Sequence, residues 1–230
     1  MGTLLTAPKA QAKMRKSAKS GIYLPYILHL APASESGYNV CPMATIGCRK
    51  GCLNTSGMGR YSNVQRARIS RTKEFFENRT KFFEQLRNEI AKAERKAIRE
   101  GKQLTMRLNG TSDLQWEVYK IYDGKNIFEL FPDVIFYDYT KIANRKVAGI
   151  PNYSLTFSHA ESNMGNTLKA LRNGMNIAVV FRKELPKTWA DIPVIDGDVD
   201  DLRFLDPAGV VVGLRAKGKA KYDDTGFVVD

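Results

Sequence analysis

Hydrophobic positions change their period near residue 101. From about 62 to 100, Phe75, Phe82, Leu86, Ile90, Ala93 and Ala97 recur at steps of three, four or seven residues. That spacing marks one face of a helix and predicts a long helical stretch, with Asn78 a candidate break. The doublets Phe75-Phe76 and Phe82-Phe83 read as core packing, because apolar stripes at helical spacing bury. Beyond Gly101 the pattern shifts to short apolar runs. These predict strands at 103–108, 134–139, 153–157, 176–182, 194–195 and 210–214, with helical segments at 112–123, 127–131 and 163–173 between them. The apolar run 21–31 predicts one earlier strand, and Pro25 counts against a central position for its first part.

Strands alternating with helices imply a parallel sheet with helical crossovers. No internal repeat or linker divides the chain. The expectation is a single α/β domain over residues 21–230, with a mainly parallel sheet, open or curled into a full or partial barrel. Residues 1–20, rich in Lys, Ala and Ser, read as a mobile basic arm. No apolar run approaches the ~20 residues of a membrane span. The polar, basic start lacks a signal-peptide core, so the chain reads as intracellular.

Charge sharpens this picture. The net charge is +12. Residues 1–102 hold 20 Lys/Arg and 7 Glu, which is +13, and the remainder holds 16 Lys/Arg and 17 Asp/Glu, which is −1. Between residues 41 and 73 stand Arg49, Lys50, Arg60, Arg66, Arg68, Arg71 and Lys73 with no acid among them. Such asymmetry suggests a polyanionic partner, nucleic acid or nucleotide first, against the plainer reading of a basic solvated surface.

The cysteines narrow the chemistry further. Cys41, Cys48 and Cys52 are the only three in the chain. They share a loop with Pro42, Gly47, Gly51, Gly57 and Gly59, the turn-forming residues that a metal-binding loop requires. An odd, clustered set argues against a disulfide framework. Structural zinc favours paired ligands and a complement of four, and here only Cys48 and Cys52 make a pair. Three thiolates suffice for a four-iron cluster with one open iron, and the surrounding basic residues offset its negative charge. A [4Fe-4S] cluster is the leading expectation. Zinc completed by His29 or His159, and cysteines holding no metal, stay open beside it.

In parallel α/β folds ligands bind at the carboxyl ends of strands. Polar residues gather there: Arg107, Asn109, Thr111, Ser112 and Asp113 after one strand, Asp138 and Lys141 after the next, and Ser158, His159, Glu161 and Asn163 after a third. Phe181-Arg182 and Asp196-Gly-Asp198 follow later strands. Singly, several of them read as helix caps or turns. Together they predict a pocket, with Asn109, Asp113, Asp138, Lys141 and His159 as candidate catalytic residues.

The cysteine loop resembles that of a phage family called gene product 88. So do the runs Met106-Arg-Leu-Asn-Gly-Thr-Ser-Asp113, Phe136-Tyr-Asp-Tyr-Thr-Lys141, Asn152-Tyr-Ser-Leu-Thr-Phe-Ser158, Asn176-Ile-Ala-Val-Val-Phe181, Val194-Ile-Asp-Gly-Asp198 and Gly213-Leu-Arg-Ala-Lys-Gly-Lys219. This likeness covers residues 20–230. It implies a phage origin and expression in the cytoplasm of a bacterial host, without an assigned activity. More distantly, three cysteines after a first strand, ahead of a β/α series, are similar to the radical S-adenosylmethionine superfamily. There the open iron of a four-iron cluster binds the cofactor's amino and carboxylate groups. This chain differs in its x6-x3 spacing, and Asn109-Gly-Thr-Ser-Asp113 stands where a Gly-Gly-Glu-like block is expected. Two functions follow. One is an iron–sulfur enzyme acting on a nucleotide or nucleic acid, with S-adenosylmethionine as a candidate cofactor. The other is a non-catalytic nucleic-acid-binding protein whose metal stiffens a loop carrying Arg49, Lys50, Arg60, Arg66, Arg68 and Arg71.

Overall fold

The alternation beyond Gly101 resolves into parallel pairing. The computed structural model describes residues 2–10 and 12–230. Its strands are β1 (Leu5–Thr6), β2 (Tyr23–Leu28), β3 (Gln103–Arg107), β4 (Ile135–Thr140), β5 (Tyr153–Ser158), β6 (Ile177–Phe181), β7 (Thr188–Trp189), β8 (Ile192–Asp196), β9 (Val211–Arg215) and β10 (Val228–Val229). The α-helices are α1 (Ala12–Ser17), α2 (Ile46–Lys50), α3 (Ser62–Glu77), α4 (Arg79–Arg99), α5 (Ile127–Leu130) and α6 (Met164–Arg172). The sheet runs β1-β2-β3-β4-β5-β6-β9-β8-β7, with β10 also paired to β6. Only the two ends, β1 on β2 and β7 on β8, are antiparallel. The sheet does not close on itself, so of the expected alternatives an open, mostly parallel sheet in one α/β domain is the one found.

Local rules account for most elements. The long helical stretch divides at Asn78 (φ −134°, ψ 52°), where α3 gives way to α4. Phe75, Phe82, Leu86, Ile90, Ala93 and Ala97 are all buried. They pack with Leu104, Met106, Leu108 and Phe136 from the sheet in one apolar layer. Each of the larger ones, the Phe, Leu, Ile and Met side chains, contributes roughly 1.5–3 kcal/mol on full burial. Pro25 sits in β2 with β3 on one side, but β1 covers only Ile27 and Leu28 on the other. Its missing N–H therefore falls where the sheet has an edge.

Three expectations change. The 112–123 helix is absent, and only a single 3-10 turn, Trp116–Val118, forms there. Asn109 holds the segment in a loop instead: its Oδ1 accepts from Leu114 N (3.0 Å), Ser112 Oγ (2.8 Å) and Trp116 Nε1 (3.2 Å), side-chain bonds that offer the chain an alternative to helix. The 1–20 segment, expected as an arm, is packed where described: β1 joins the sheet, and Leu4, Met14 and Ser17 are buried. Glu89 draws it in, its carboxylate accepting from Leu4 N and Leu5 N at 2.9 Å. Met1 and Gln11 lie outside the described residues. The last segment was not anticipated as a strand at all. Past Ser158 and Ala178, where β5 and β6 cease pairing, β10 takes the vacated side of β6 at Val180 and Phe181.

Strand alternation gives the sheet two characters. Leu104, Met106 and Leu108 face the helices, so Thr105, Arg107 and Asn109 face the other way. On that second face the connection from β8 to β9 crosses back over the sheet. Phe204 lies against Tyr23 and Tyr137, at 5.3 Å from each ring. Asp201 accepts from Arg107 Nη1 at 2.7 Å, and its N–H donates to Ser17 Oγ at 3.0 Å. One side of the second face is thus covered, and a cavity remains at the carboxyl ends of the strands.

Candidate functional site

Six parallel strands contribute their carboxyl-terminal ends to this cavity. Ile27 and His29 come from β2, Arg107 and Asn109 from β3, and Tyr139 and Lys141 from β4. Ser158 follows from β5, Ala178 and Val180 from β6, and Leu214 and Arg215 from β9. The volume is about 670 Å³, within the usual span of small-molecule sites. Gly110 makes the β2–β3 corner possible: a Cβ there would lie 2.5 Å from Ile27 Cγ2 and 2.8 Å from His29 Cδ2.

All three cysteines line the same cavity, and all are free thiols. They reach it from three local frames. Cys41 lies in the turn after β2, where Ala33 N donates to its sulfur at 3.4 Å. Cys48 sits in α2, whose first turn is fixed by Thr45 Oγ1 accepting from Cys48 N at 3.2 Å. Cys52 begins the next turn, and Asn54 N donates to its sulfur at 3.5 Å. Burial pushes the Cys41 thiol up to about 12 and the Cys52 thiol up to about 11, in each case against the backbone donor. As free groups they stay protonated and poor nucleophiles at neutral pH. This disfavours a redox or nucleophilic role and is what a metal would overcome by replacing the protons.

Glu161, named from the sequence among the polar strand-end residues but not among the catalytic candidates, locks α2 in place. It accepts from Gly47 N at 2.7 Å and from Thr45 Oγ1 at 2.8 Å. The far side of α2 abuts the carboxyl-terminal segment so closely that a Cβ on Gly47 would lie 2.1 Å from Thr225 Oγ1 and 2.5 Å from Phe227 Cβ. An acid just past a strand end was the available signal for Glu161. Nothing local announced the approach of Thr225 and Phe227.

Of the candidate catalytic residues, Asn109, Asp113 and Lys141 line the cavity with the cysteines, and Asp138 and His159 do not. Asp138 is buried behind the wall. It accepts from Asn109 N (2.8 Å), Leu108 N (3.3 Å) and Tyr153 OH (3.2 Å). Burial pushes its carboxyl up to about 7, opposed by the Arg107 charge and the two backbone donors. Asp113 is also raised by burial, against hydrogen bonds from Lys141 N (2.7 Å) and Thr140 Oγ1 (2.8 Å). His159 pairs its Nδ1 with Thr167 Oγ1 at 2.9 Å and lies against Trp189. His29 is the histidine that faces the cysteines. Burial first, then Arg68, Arg107 and Arg71, hold it well below the ordinary histidine range, so its imidazole is neutral.

The six basic residues proposed for phosphate contact separate. Arg49, Lys50, Arg60 and Arg66 are exposed, whereas Arg68 is buried and Arg71 half-buried. Arg68 donates to Asn54 Oδ1, and Asn54 donates in turn to Glu35 at 2.8 Å. Burial lowers the Arg68 pKa and the Cys52 thiolate opposes that shift, which ties this guanidinium to the cysteine site. Arg68 and Arg71 are therefore not part of an exposed phosphate-binding row.

Among the described residues no three His, Cys, Asp or Glu side chains gather closely enough to hold a single metal ion. A cubane cluster spreads its thiolates wider than one ion does. Three sulfurs line the shared cavity, two of them with backbone donors. Among the described residues no helix is long and apolar enough to cross a membrane.

A family model described as Gene product 88 matches residues 3–230. No curated protein and no solved structure matches the chain.

Proposed function

The chain belongs to the gene product 88 family, and we propose that it is an iron–sulfur protein whose cluster is held by Cys41, Cys48 and Cys52 beside a small-molecule pocket. The carrying observation is that all three thiols open on one cavity at the carboxyl ends of the parallel strands. With three protein ligands, the cluster would keep one iron open as a Lewis acid or as a site for the amino and carboxylate groups of S-adenosylmethionine. The protein's own residues supply the rest. Thr45 and Glu161 orient the Cys48 helix. Arg68 offsets thiolate charge, and the neutral His29 imidazole stands within the same wall. Asn109 is held rigid by its bonds to the following loop, so its position is fixed before any ligand arrives. The finer proposal, chemistry of the radical S-adenosylmethionine kind, rests on the three cysteines after the first long strand and not on a barrel, since the sheet is open. The proposed setting is the cytoplasm of a bacterial host.

A second reading rests on Arg49, Lys50, Arg60 and Arg66, exposed on the segment that carries the cysteines. There the protein binds nucleic acid without catalysis, and its metal serves only to stiffen the loop.

Anaerobic purification with iron and sulfide analysis tests the first reading. Wild-type protein should be brown, and Cys41→Ala, Cys48→Ala and Cys52→Ala should each lose the colour and nearly all iron and sulfide. Full iron content in all three variants, or zinc in the wild type, would end it. A change in the electron paramagnetic resonance of the reduced protein on adding S-adenosylmethionine is the test of the finer claim.

A further inference from the structure

Lys141 is a buried cation whose ammonium makes no ion pair among the described residues, although Asp113 lies near enough to feel its charge. Its side chain lies at the cavity end of β4, and the residue is only 7% exposed. The ammonium donates to Ser158 Oγ at 2.6 Å and Ser158 O at 3.3 Å, and it stands 5.5 Å above the Phe227 ring. These contacts use two of its three donors. No carboxylate among the described residues makes an ion pair with it. Asp113 takes its backbone N–H instead and is already shared with Thr140 and Arg145. Of the buried arginines near this end, Arg107 pairs with Asp201 and Arg145 with Glu117, while Arg68 is hydrogen-bonded to Asn54 without an acid. A buried cation left unpaired is costly in the free protein. Residues kept at such a cost are characteristic of binding sites.

We infer that Lys141 is the seat for the anionic group, carboxylate or phosphate, of the small ligand that enters this cavity. The inference rests on reading the cavity as a ligand site, not on the cluster being present. Ser158 acts as the positioning residue: it fixes the ammonium at the β4–β5 corner, so that the third donor faces the cavity. Phe227, brought in by the carboxyl-terminal segment, keeps water from one side of the amine.

Thermal unfolding of the full chain tests this, with inorganic phosphate or acetate at constant ionic strength against chloride. Wild-type protein should gain about 5 °C at saturating concentration of at least one of the two anions. A gain with phosphate alone assigns a phosphoryl group, and a gain with acetate alone a carboxylate. Lys141→Met should abolish the gain while keeping an anion-free midpoint equal to or above wild type, because it removes an uncompensated charge. Ser158→Ala, which keeps the charge, should retain the gain. The gain should also persist in Cys48→Ala, and iron analysis of the wild type reports on the cluster separately. No anion-specific gain in the wild type overturns the proposal. So does a Lys141→Met midpoint several degrees lower, which would mark the lysine as structural. Loss of the gain in Cys48→Ala would tie the lysine to the cluster instead and equally overturn it.

Discussion

Two sets of polar residues sit within a few residues of each other at the strand ends, and they are built on opposite principles. Behind the cavity wall most of the groups close on themselves, with Arg145 Nη1 the exception that has no hydrogen-bond partner. Arg145 joins Glu117 (Nε to Oε1, 2.9 Å) and Tyr153 (3.1 Å), Tyr153 joins Asp138 (3.2 Å), and Asp138 joins the backbone of Leu108 and Asn109. On the cavity side, no acid among the described residues forms an ion pair with Lys141, Arg68 Nε has no acceptor, and two of the three thiols have only a weak backbone donor, Cys41 also donating to Thr111 O at 3.7 Å. Satisfied networks rigidify a fold, and unsatisfied groups await a partner. Chemistry-bearing residue types alone do not separate the two: Asp138 and Lys141 are three positions apart and serve different ends.

Substitutions should expose that division. Asp138→Asn is expected to cost the most stability, on the order of 3 kcal/mol by denaturant unfolding, because its amide NH2 must face one of the two backbone N–H donors, Leu108 or Asn109, whichever way the amide turns. A cost below about 1 kcal/mol would mean that the network is not the scaffold described. Arg68→Ala should cost about 2 kcal/mol by leaving Asn54 Oδ1 buried without its donor, whereas Arg66→Glu, on the exposed face of α3, should stay within about 0.5 kcal/mol. If nucleic acid binds, Arg66→Glu should weaken it for all sequences alike and reduce its salt dependence. Equal stability losses at the two arginines would erase the distinction between buried and exposed members of the basic run. The smallest effect concerns pH. Burial, then the Lys141 charge, hold the folded His159 pKa below the ordinary value. The unfolded chain then takes up the proton first, so stability is intact above about pH 6.5 and declines as pH falls below it. His29, held further below, adds to that decline and Asp138, raised to about 7, opposes it. The His159 share is therefore the difference between the pH dependences of the unfolding midpoint of wild type and of His159→Asn, which keeps a partner for Thr167, between pH 7.5 and 5. An unchanged slope in that variant would place the titration elsewhere.

The helical stripe from Phe75 to Ala97, the break at Asn78 and the strands near 103, 134, 153, 176 and 210 were legible because each depends on residues a few positions apart. So was the grouping of the cysteines, which is a matter of loop length. The helix expected at 112–123 failed because Asn109, placed by the strand before it, holds the loop atoms in another way. Asp138 and Lys141 were both legible as polar residues at a strand end. Their different roles were not, since one residue's shift along a strand reverses the face it joins.

The sequence by itself determined an α/β chain, a basic first half and three thiols confined to one loop. Tertiary structure alone decided what those thiols face. The Cys48 helix is fixed by Glu161, 114 residues beyond Gly47, and the cavity is closed by Asp201, 94 residues beyond Arg107. It also decided that Arg68 turns inward and that β10 wedges beside β6 to bring Phe227 against Lys141. Such pairings leave no local periodicity, because they depend on how the strands order themselves across the sheet. That order is set by burial of the whole apolar layer, not by any one segment.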